Sequence, residues 1–384
     1  MFRKPICSLF QRCGGCSYLN REYTEQLQLK VKIVNDIFHS FKIRGLPELK
    51  IFFKNEFFYR NRMDFAFSTK GLGLKEKNKF FVFVKVDKCF IANEKINFLL
   101  NEINKWFDEN GRKLDVFNIN TRRGTLKYAV IRASLFADST TVTFILNKDS
   151  EKIEEQKQIL LNFCKNLKSE NILFGYVGFN SGVSVTDNYE IIKGSDFMFE
   201  NLMGYKFFYH SQGFFQNNSM GLLDIMIYLK ENISGKYDLL FDLYGGVGTF
   251  GIYLSTMADE VIIADSSELS LACAEKNIKE NKILNAKTIK FFDNEPEKYF
   301  KEIKDKKTIF IIDPPRAGIH NKTLEFIKKI LPEKILYVSC NPETLARDCL
   351  ILFEKYNLFD IKIFDMFPQT RHIETVGVFK KNKN

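Results

Sequence analysis

Leu239-Leu240-Phe241-Asp242-Leu243-Tyr244-Gly245-Gly246-Val247-Gly248-Thr249-Phe250-Gly251 is the stretch that decides the fold. An apolar run of strand length enters a glycine cluster, and the residues beyond it open a helix. Glycine belongs at such a junction because the backbone must turn tightly and approach a ligand with no Cβ in the way. Working outward, apolar runs at 261–264, 309–312 and 335–338 alternate with helical text at spacings that suit crossovers. The pattern predicts a parallel, doubly wound α/β sheet over 206–384, with ligands at the carboxyl ends of its strands. Asp265 follows the run at 261–264, where a carboxylate accepts both hydroxyls of a ribose. Gly246-x-Gly248-x-x-Gly251 also satisfies a dinucleotide fingerprint, so this segment alone leaves NAD and S-adenosylmethionine both open, beside a plain tight turn.

Two further strand ends arbitrate. The run at 309–312 stops at Asp313-Pro314-Pro315-Arg316, where two prolines end the ladder and fix the direction of the preceding carboxylate. The run at 335–338 delivers Ser339-Cys340-Asn341-Pro342. A lone cysteine after an apolar strand is ordinarily an inert small hydrophobe. In one sheet with a glycine loop, a ribose acid and Asp-Pro-Pro, it describes a reaction. Carbon 5 of a pyrimidine is a poor nucleophile until a thiolate adds at carbon 6 and turns the ring into an enolate. A base must then take the proton from carbon 5. Phe367-Pro368-Gln369-Thr370-Arg371-His372-Ile373-Glu374-Thr375 offers Glu374, with His372 as second choice.

The rest of the 384 residues is bounded by composition. A chain 45% hydrophobic and 27% charged can bury a core, and its length suggests two or three domains. The net charge of +10 is compatible with a polyanionic partner without identifying one. No uncharged stretch is long and apolar enough for a membrane helix, and the first nine residues make no signal peptide, so a cytoplasmic location and no membrane partner are expected. Nothing points to an obligatory protein partner, and a monomer is expected. Residues 20–41 read as a helix burying Leu27, Leu29, Val31, Ile33, Val34 and Ile37. Between 51 and 205, short runs at Phe57-Phe58-Tyr59-Arg60, 80–86, 127–133, 142–146 and 172–177 predict an antiparallel α+β domain with helical inserts at 93–109 and 150–168. The expected organisation is a cysteine-rich segment and helix over 1–50, a central RNA-binding domain over 51–205 and a catalytic domain over 206–384. Most of the 40 Phe are read as core.

Eight cysteines in such a chain do not suggest a disulfide framework. Cys7, Cys13 and Cys16 with the distant Cys89 suit a [4Fe-4S] cluster, and Gly14 and Gly15 leave room for N–H groups to face the sulfurs. Zinc would more often show two Cys-x-x-Cys knuckles; zinc and unliganded thiols stay open on spacing alone. Cys164, Cys273 and Cys349 fall in helical text and are expected to pack.

These motifs resemble the RNA 5-methyluridine methyltransferase family. The likeness rests on Asp313-Pro314-Pro315-Arg316-Ala317-Gly318, on Tyr337-Val338-Ser339-Cys340-Asn341-Pro342-Glu343-Thr344-Leu345-Ala346-Arg347-Asp348 and on His372-Ile373-Glu374-Thr375, with Phe214-Phe215-Gln216-Asn217-Asn218 upstream. It implies a class I methyltransferase domain, Cys340 as nucleophile and Glu374 as proton acceptor. It also implies that Gln216, Tyr244, Asp265 and Asp313 contact S-adenosylmethionine or the target base, and it favours the iron–sulfur reading. Asp265 stands where many members carry Glu, and Gly245 where many carry Cys. Uracil is preferred over cytosine because no second cysteine accompanies the prolines after Asp313, and Asp313 could accept the N3 proton that cytosine lacks. The cysteine tetrad favours 23S rRNA over transfer RNA, in a branch without an N-terminal RNA-binding (TRAM) barrel, for which Cys7 leaves no room. Arg60 and Arg62 beside Phe57, Phe58 and Tyr59, with Arg122, Arg123, Lys127 and Arg132, are the candidate RNA contacts. An NAD-dependent oxidoreductase or a non-catalytic RNA-binding protein would leave Cys340, Glu374 and the Asp313 motif without purpose.

Overall fold

The computed structural model describes residues 3–79, 81–299 and 303–382. The first regular element is the helix α1 (Tyr23–Ser40), followed by the short strand β1 (Lys50–Phe52). A seven-stranded sheet comes next: β2 (Arg62–Ser68), β3 (Gly71–Lys75), β4 (Phe83–Lys85), β5 (Leu126–Ala133), β6 (Thr140–Asn147), β7 (Asn171–Val177) and β8 (Tyr189–Lys193), in the order β4-β3-β2-β5-β6-β7-β8. Helices α2 (Glu94–Asn110) and α3 (Ile153–Cys164) pack on it. The hairpin β9 (Phe197–Leu202) and β10 (Tyr205–His210) leads to α4 (Ser219–Glu231) and the second sheet. That sheet is built from β11 (Tyr237–Leu243), β12 (Ala258–Asp265), β13 (Ala286–Lys290), β14 (Thr308–Ile312), β15 (Lys334–Ser339), β16 (Tyr356–Phe364) and β17 (Glu374–Lys381), with α5 (Thr249–Tyr253), α6 (Glu268–Glu280), α7 (Asn321–Ile330) and α8 (Pro342–Leu352) between strands. Its order is β1-β16-β17-β15-β14-β11-β12-β13.

β11 to β15 are parallel, as the apolar runs predict, and β11, β12, β14 and β15 are almost wholly buried. β17 breaks the pattern by running antiparallel between β15 and β16. Two hydrophobic layers enclose this sheet, one from α4, α5 and the β9–β10 hairpin, the other from α1, α7 and α8. Phe38 and Val34 of α1 lie in the second layer, and β1 pairs with β16, so residues within 1–50 contribute to the C-terminal sheet. No helix among the described residues is long and apolar enough to cross a membrane.

Three expectations need correcting. Phe57-Phe58-Tyr59-Arg60 is not a strand: Phe58 is left-handed (φ +56°), the segment bends to bond Phe90 and Ile91, Arg60 makes isolated bridges alone, and the ladder of β2 starts at Arg62. Adjacent aromatics without alternation marked a packed bend, not a pleated edge. The middle sheet is not purely antiparallel, because α3 provides a crossover that sets β6 and β7 parallel. The buried face of α1 is rotated from the expected stripe: Gln26, Lys30 and Phe38 are fully buried beside Leu27 and Val34, while Leu29, Val31, Ile33 and Ile37 are half-buried.

Lys30 explains the rotation. Its ammonium donates to Asp365 Oδ1 at 2.6 Å and to the Phe367 carbonyl at 3.1 Å, and both charged side chains are fully buried. Tyr23 donates its hydroxyl to the other oxygen of Asp365 at 2.8 Å. Burial holds the Lys30 ammonium below the ordinary lysine range, and the Asp365 charge works against that shift. Removing one partner strands the other charge in the core, so Lys30→Met is expected to cost about 3–5 kcal/mol in urea unfolding. Lys30→Met with Asp365→Asn should recover most of it.

Candidate functional site

The glycine loop sits at the carboxyl end of β11. Tyr244 (φ +59°), Gly246 (φ +55°) and Gly248 (φ +83°) are left-handed, which turns the chain from β11 into α5. A Cβ on Gly245 would lie 2.9 Å from Asp242 Oδ2 and from Ile263, so a larger residue there would need those side chains to shift. A Cβ on Gly246 would meet nothing within 4 Å, which leaves open space beside the loop for a ligand. Asp265, at the end of β12, accepts from the N–H of Gly246 at 3.0 Å and of Ser267 at 2.8 Å. Asp242 accepts from the Gly251 N–H at 2.8 Å, while its buried Oδ1 has no partner among the described residues. Burial pushes its carboxyl up to about 7, against the Gly251 hydrogen bond and with Asp313 and Asp265 adding to the rise. An open cradle, an acid at the end of the adjoining strand and an orphaned oxygen fit a nucleoside-bearing methyl donor.

Cys340 and Glu374 are brought together by strand register. Ser339 of β15 faces Thr375 of β17, and the Thr375 hydroxyl donates to the Ser339 carbonyl at 3.2 Å. Cys340 is one residue beyond Ser339 and Glu374 one before Thr375, so antiparallel pairing makes them neighbours across the ladder. Asp313 follows Ile312, which pairs with Tyr337 of β15 and Leu243 of β11. Gln216, just before α4, donates Nε2 to Asp313 Oδ2 at 3.1 Å. The thiol of Cys340 is pushed up to about 11 by burial, then by the negative charges of Glu374 and Asp313, with Arg316 opposing. Burial and Asp313 hold Glu374 well above the usual carboxylate range, and Arg316 again opposes. Asp313 is raised by burial while the Gln216 amide lowers it. Two carboxyls and a thiol that all resist ionisation, with one guanidinium to favour it, form a site able to pass protons near neutral pH.

Other predicted residues lie nearby with different engagements. Tyr244 packs on Phe291 and gives its hydroxyl to Asp293 at 2.5 Å, which also accepts from Thr323 of α7. His372 lies at the rim, its Nδ1 3.5 Å from Arg316 Nη2, and partial desolvation of its ring, then the charges of Arg316 and Arg371, lower its pKa. Glu374, in contrast, is buried beside Cys340. Residue-by-residue reading missed Asn218, the N-cap of α4, whose Nδ2 reaches the Met366 carbonyl at 2.9 Å, and Arg316 as the local cation. An N-cap asparagine signals a helix start but not a distant carbonyl.

Cys7, Cys13, Cys16 and Cys89 line one cavity of about 1180 Å³ between the N-terminal loops and the seven-stranded sheet, all as free thiols. The Gly15 N–H faces Cys13 Sγ at 3.4 Å. Cys16 is pushed up to about 12 by burial and by Cys89, Cys13 and Cys7, which places the four sulfurs within one another's field. Among the described residues no three His, Cys, Asp or Glu side chains are gathered as ligands of a single metal ion. Cys164, Cys273 and Cys349 are buried in helices, as expected.

Two of the candidate RNA contacts are corrected. Arg132 is fully buried, stacks on Tyr209 and donates to the carbonyls of His210, Ser211 and Gly213, so it braces the chain before Gln216. Lys127 is buried and donates to the Gly178 and Ser181 carbonyls. Both lie on β5, whose near-continuous burial the sequence alternation did not convey. Arg62 pairs with Asp64, and Arg122 bonds Asn180 at the surface.

Comparison with known proteins gives a consistent outcome. Residues 22–383 match the family model described as tRNA (Uracil-5-)-methyltransferase. An RNA methyltransferase of Caldanaerobacter subterraneus is 34% identical over 98% of this chain and 84% of its own. The tRNA (uracil(54)-C(5))-methyltransferase of Pyrococcus abyssi is 32% identical over 97% of this chain and 85% of its own. The crystal structure of a P. abyssi tRNA (uracil-54, C5)-methyltransferase with S-adenosyl-L-homocysteine superposes with a TM-score of 0.80 at 29% identity, covering 98% of this chain and 88% of that one. With its glycine cradle and its paired Cys340 and Glu374, the chain belongs to the tRNA (uracil-5-)-methyltransferase family and is an S-adenosylmethionine-dependent RNA (uracil-C5)-methyltransferase.

Proposed function

We propose that Cys340 and Glu374 carry the reaction, and the observation that supports this best is the Ser339–Thr375 pairing that makes them neighbours. S-adenosylmethionine supplies an electrophilic methyl group to the open side of the glycine loop, where Asp265 is placed for its ribose. The Cys340 thiolate adds to carbon 6 of a uracil and renders carbon 5 nucleophilic. Glu374 removes the carbon 5 proton after methylation, so that the thiolate leaves and the ring double bond returns. Asp313, oriented by Gln216, accepts the N3–H of uracil and selects against cytosine. The target base must leave its stack to reach Cys340. The domain over 51–205 holds the RNA, with Arg60, Arg62, Arg122 and Arg123 as contacts.

For the substrate, the relatives whose names specify a nucleotide act on uridine 54 of transfer RNA, which supports transfer RNA above the 23S rRNA expected from the cysteine tetrad. We also propose Cys7, Cys13, Cys16 and Cys89 as the ligands of a [4Fe-4S] cluster. Four unpaired thiols around one cavity suit a multinuclear cluster, which spaces its ligands more widely than a single ion does. The cluster would tie the N-terminal loops to the seven-stranded sheet and takes no step in methyl transfer.

Tritium release from RNA labelled at carbon 5 of uridine tests the reaction. Cys340→Ala should abolish release and Glu374→Gln should slow it by about 10²- to 10⁴-fold. Release unaffected by Cys340→Ala would sink the mechanism, and full uracil turnover by Asp313→Asn would remove the N3 role. Transfer RNA should serve in this assay and 23S rRNA should not; the reverse would restore the ribosomal reading.

The electrostatics fix a pH dependence. Cys340 and Glu374 both act deprotonated and both are held above their ordinary values, Cys340 pushed up to about 11, so turnover should climb with pH through neutrality and go on climbing toward that value. Arg316 favours both ionised forms, so Arg316→Ala should move the rising limb to higher pH. A limb that moves the other way would contradict this account of the site.

A further inference from the structure

The loop before Glu374 is held along its backbone by distant parts of the chain. The Met366 carbonyl accepts from Asn218 Nδ2 at 2.9 Å, Phe367 from Lys30 Nζ at 3.1 Å and Pro368 from the Tyr59 hydroxyl at 2.9 Å. The Gln369 carbonyl accepts from the N–H groups of Ser17 at 2.9 Å and Tyr18 at 3.0 Å, both in the cysteine-rich segment. Four consecutive carbonyls thus bond α4, α1, the bend before β2 and the N-terminal loops. A loop carrying no special function would leave such groups to water.

Gln369 is the centre of this clamp. It is fully buried and left-handed (φ +66°), a conformation that costs a non-glycine residue energy unless its surroundings fix it. Its N–H donates to Gln26 Oε1 at 3.1 Å, and its Oε1 accepts from Gln26 Nε2 at 2.9 Å and Arg3 Nη2 at 3.3 Å. Its Nε2 donates to Glu56 Oε2 at 3.0 Å. Every polar atom of the residue is engaged. The chain then runs through Thr370, whose hydroxyl bonds Phe367 and receives the His372 N–H, directly into Glu374. Cys340 shares the Ser339–Thr375 pairing with Glu374, but the rest of its loop is held apart from Gln369, by Ser339 Oγ on the Asn341 carbonyl and by Asn341 on the Arg316 carbonyl.

We propose that Gln369 is a positioning residue for Glu374, and that it governs the proton-removal half of the reaction and not the addition half. This rests on the roles given above to Cys340 and Glu374. In the first half the Cys340 sulfur bonds carbon 6 and the methyl passes from the donor's sulfonium to carbon 5. In the second, the carbon 5 proton moves to the Glu374 carboxylate, the pair from the carbon 5–hydrogen bond forms the ring double bond, and the carbon–sulfur bond breaks with its electrons leaving on the Cys340 thiolate. Displacing the loop moves the base away while the nucleophile stays, so the methylated covalent adduct persists.

The test measures both halves on the same RNA: tritium release from carbon 5, and methyl label retained in a protein–RNA adduct that survives denaturation. Gln369→Leu should lower release about tenfold or more while the adduct accumulates above the wild-type level. Gln369→Asn keeps an amide, tolerates the left-handed backbone, and should restore part of the release. Adduct and release falling in the same proportion would show that Gln369 only holds the fold, and the inference would be wrong. If Gln369→Leu does not fold, Tyr59→Phe, which removes one donor from the clamp, must show the same excess of adduct over release; no excess overturns the proposal. A wild-type enzyme that forms no adduct and releases no tritium overturns the assignment of Cys340 and Glu374 itself.

Discussion

The antiparallel insertion of β17 between β15 and β16 is the constraint on which the site depends. A purely parallel sheet would deliver Cys340, Asp313 and the glycine loop to one edge but would carry the C-terminal strand away from that edge. Reversing its last strand lets the chain enter the sheet at the end that carries Cys340, so that Glu374 is its first residue there and lies beside that cysteine. The hydrophobic layers on both faces fix the register, because a slip of one residue would turn the buried side chains of β17 to the wrong face.

That arrangement has an electrostatic cost. Packing Glu374 and Asp313 beside Cys340 adds to the burial that raises the thiol, and Arg316 with a backbone hydrogen bond opposes the rise. The same crowding makes Glu374 a stronger base once it is ionised, which suits removal of a carbon-bound proton. Gln216 holds Asp313 in place and Asn218, two residues on, holds Met366, so one short segment before α4 touches both Asp313 and the loop that leads into Glu374.

Much of this was legible in the sequence, for identifiable reasons. Strands buried on both faces read as continuous apolar runs, so β11, β12, β14 and β15 stood out, and the motif residues lie at their ends. β17 was harder to place because its near-continuous burial resembles a parallel strand, and only pairing shows its direction. Phe57 to Arg60 read as a strand from composition although Phe58 takes a left-handed bend. Lys30, Gln26 and Gln369 could not be read at all: polar residues on a helix or loop imply solvent until their partners, more than 300 residues away in the chain, are known. Arg132 and Lys127 were misread as RNA contacts because a cation on a strand implies an exposed face until the carbonyls it bonds, here those of Ser211 and Ser181, are known.

The central claim is that Cys340 adds covalently to carbon 6 of the target uracil. RNA containing 5-fluorouridine tests it most directly, because fluorine replaces the proton that Glu374 would remove and elimination cannot follow methylation. With S-adenosylmethionine present, a protein–RNA complex should form that survives denaturation, and mass spectrometry of the digested complex should find the methylated fluorouridine on the peptide containing Cys340. No trapped complex, or a nucleotide attached to any other residue, would contradict the account.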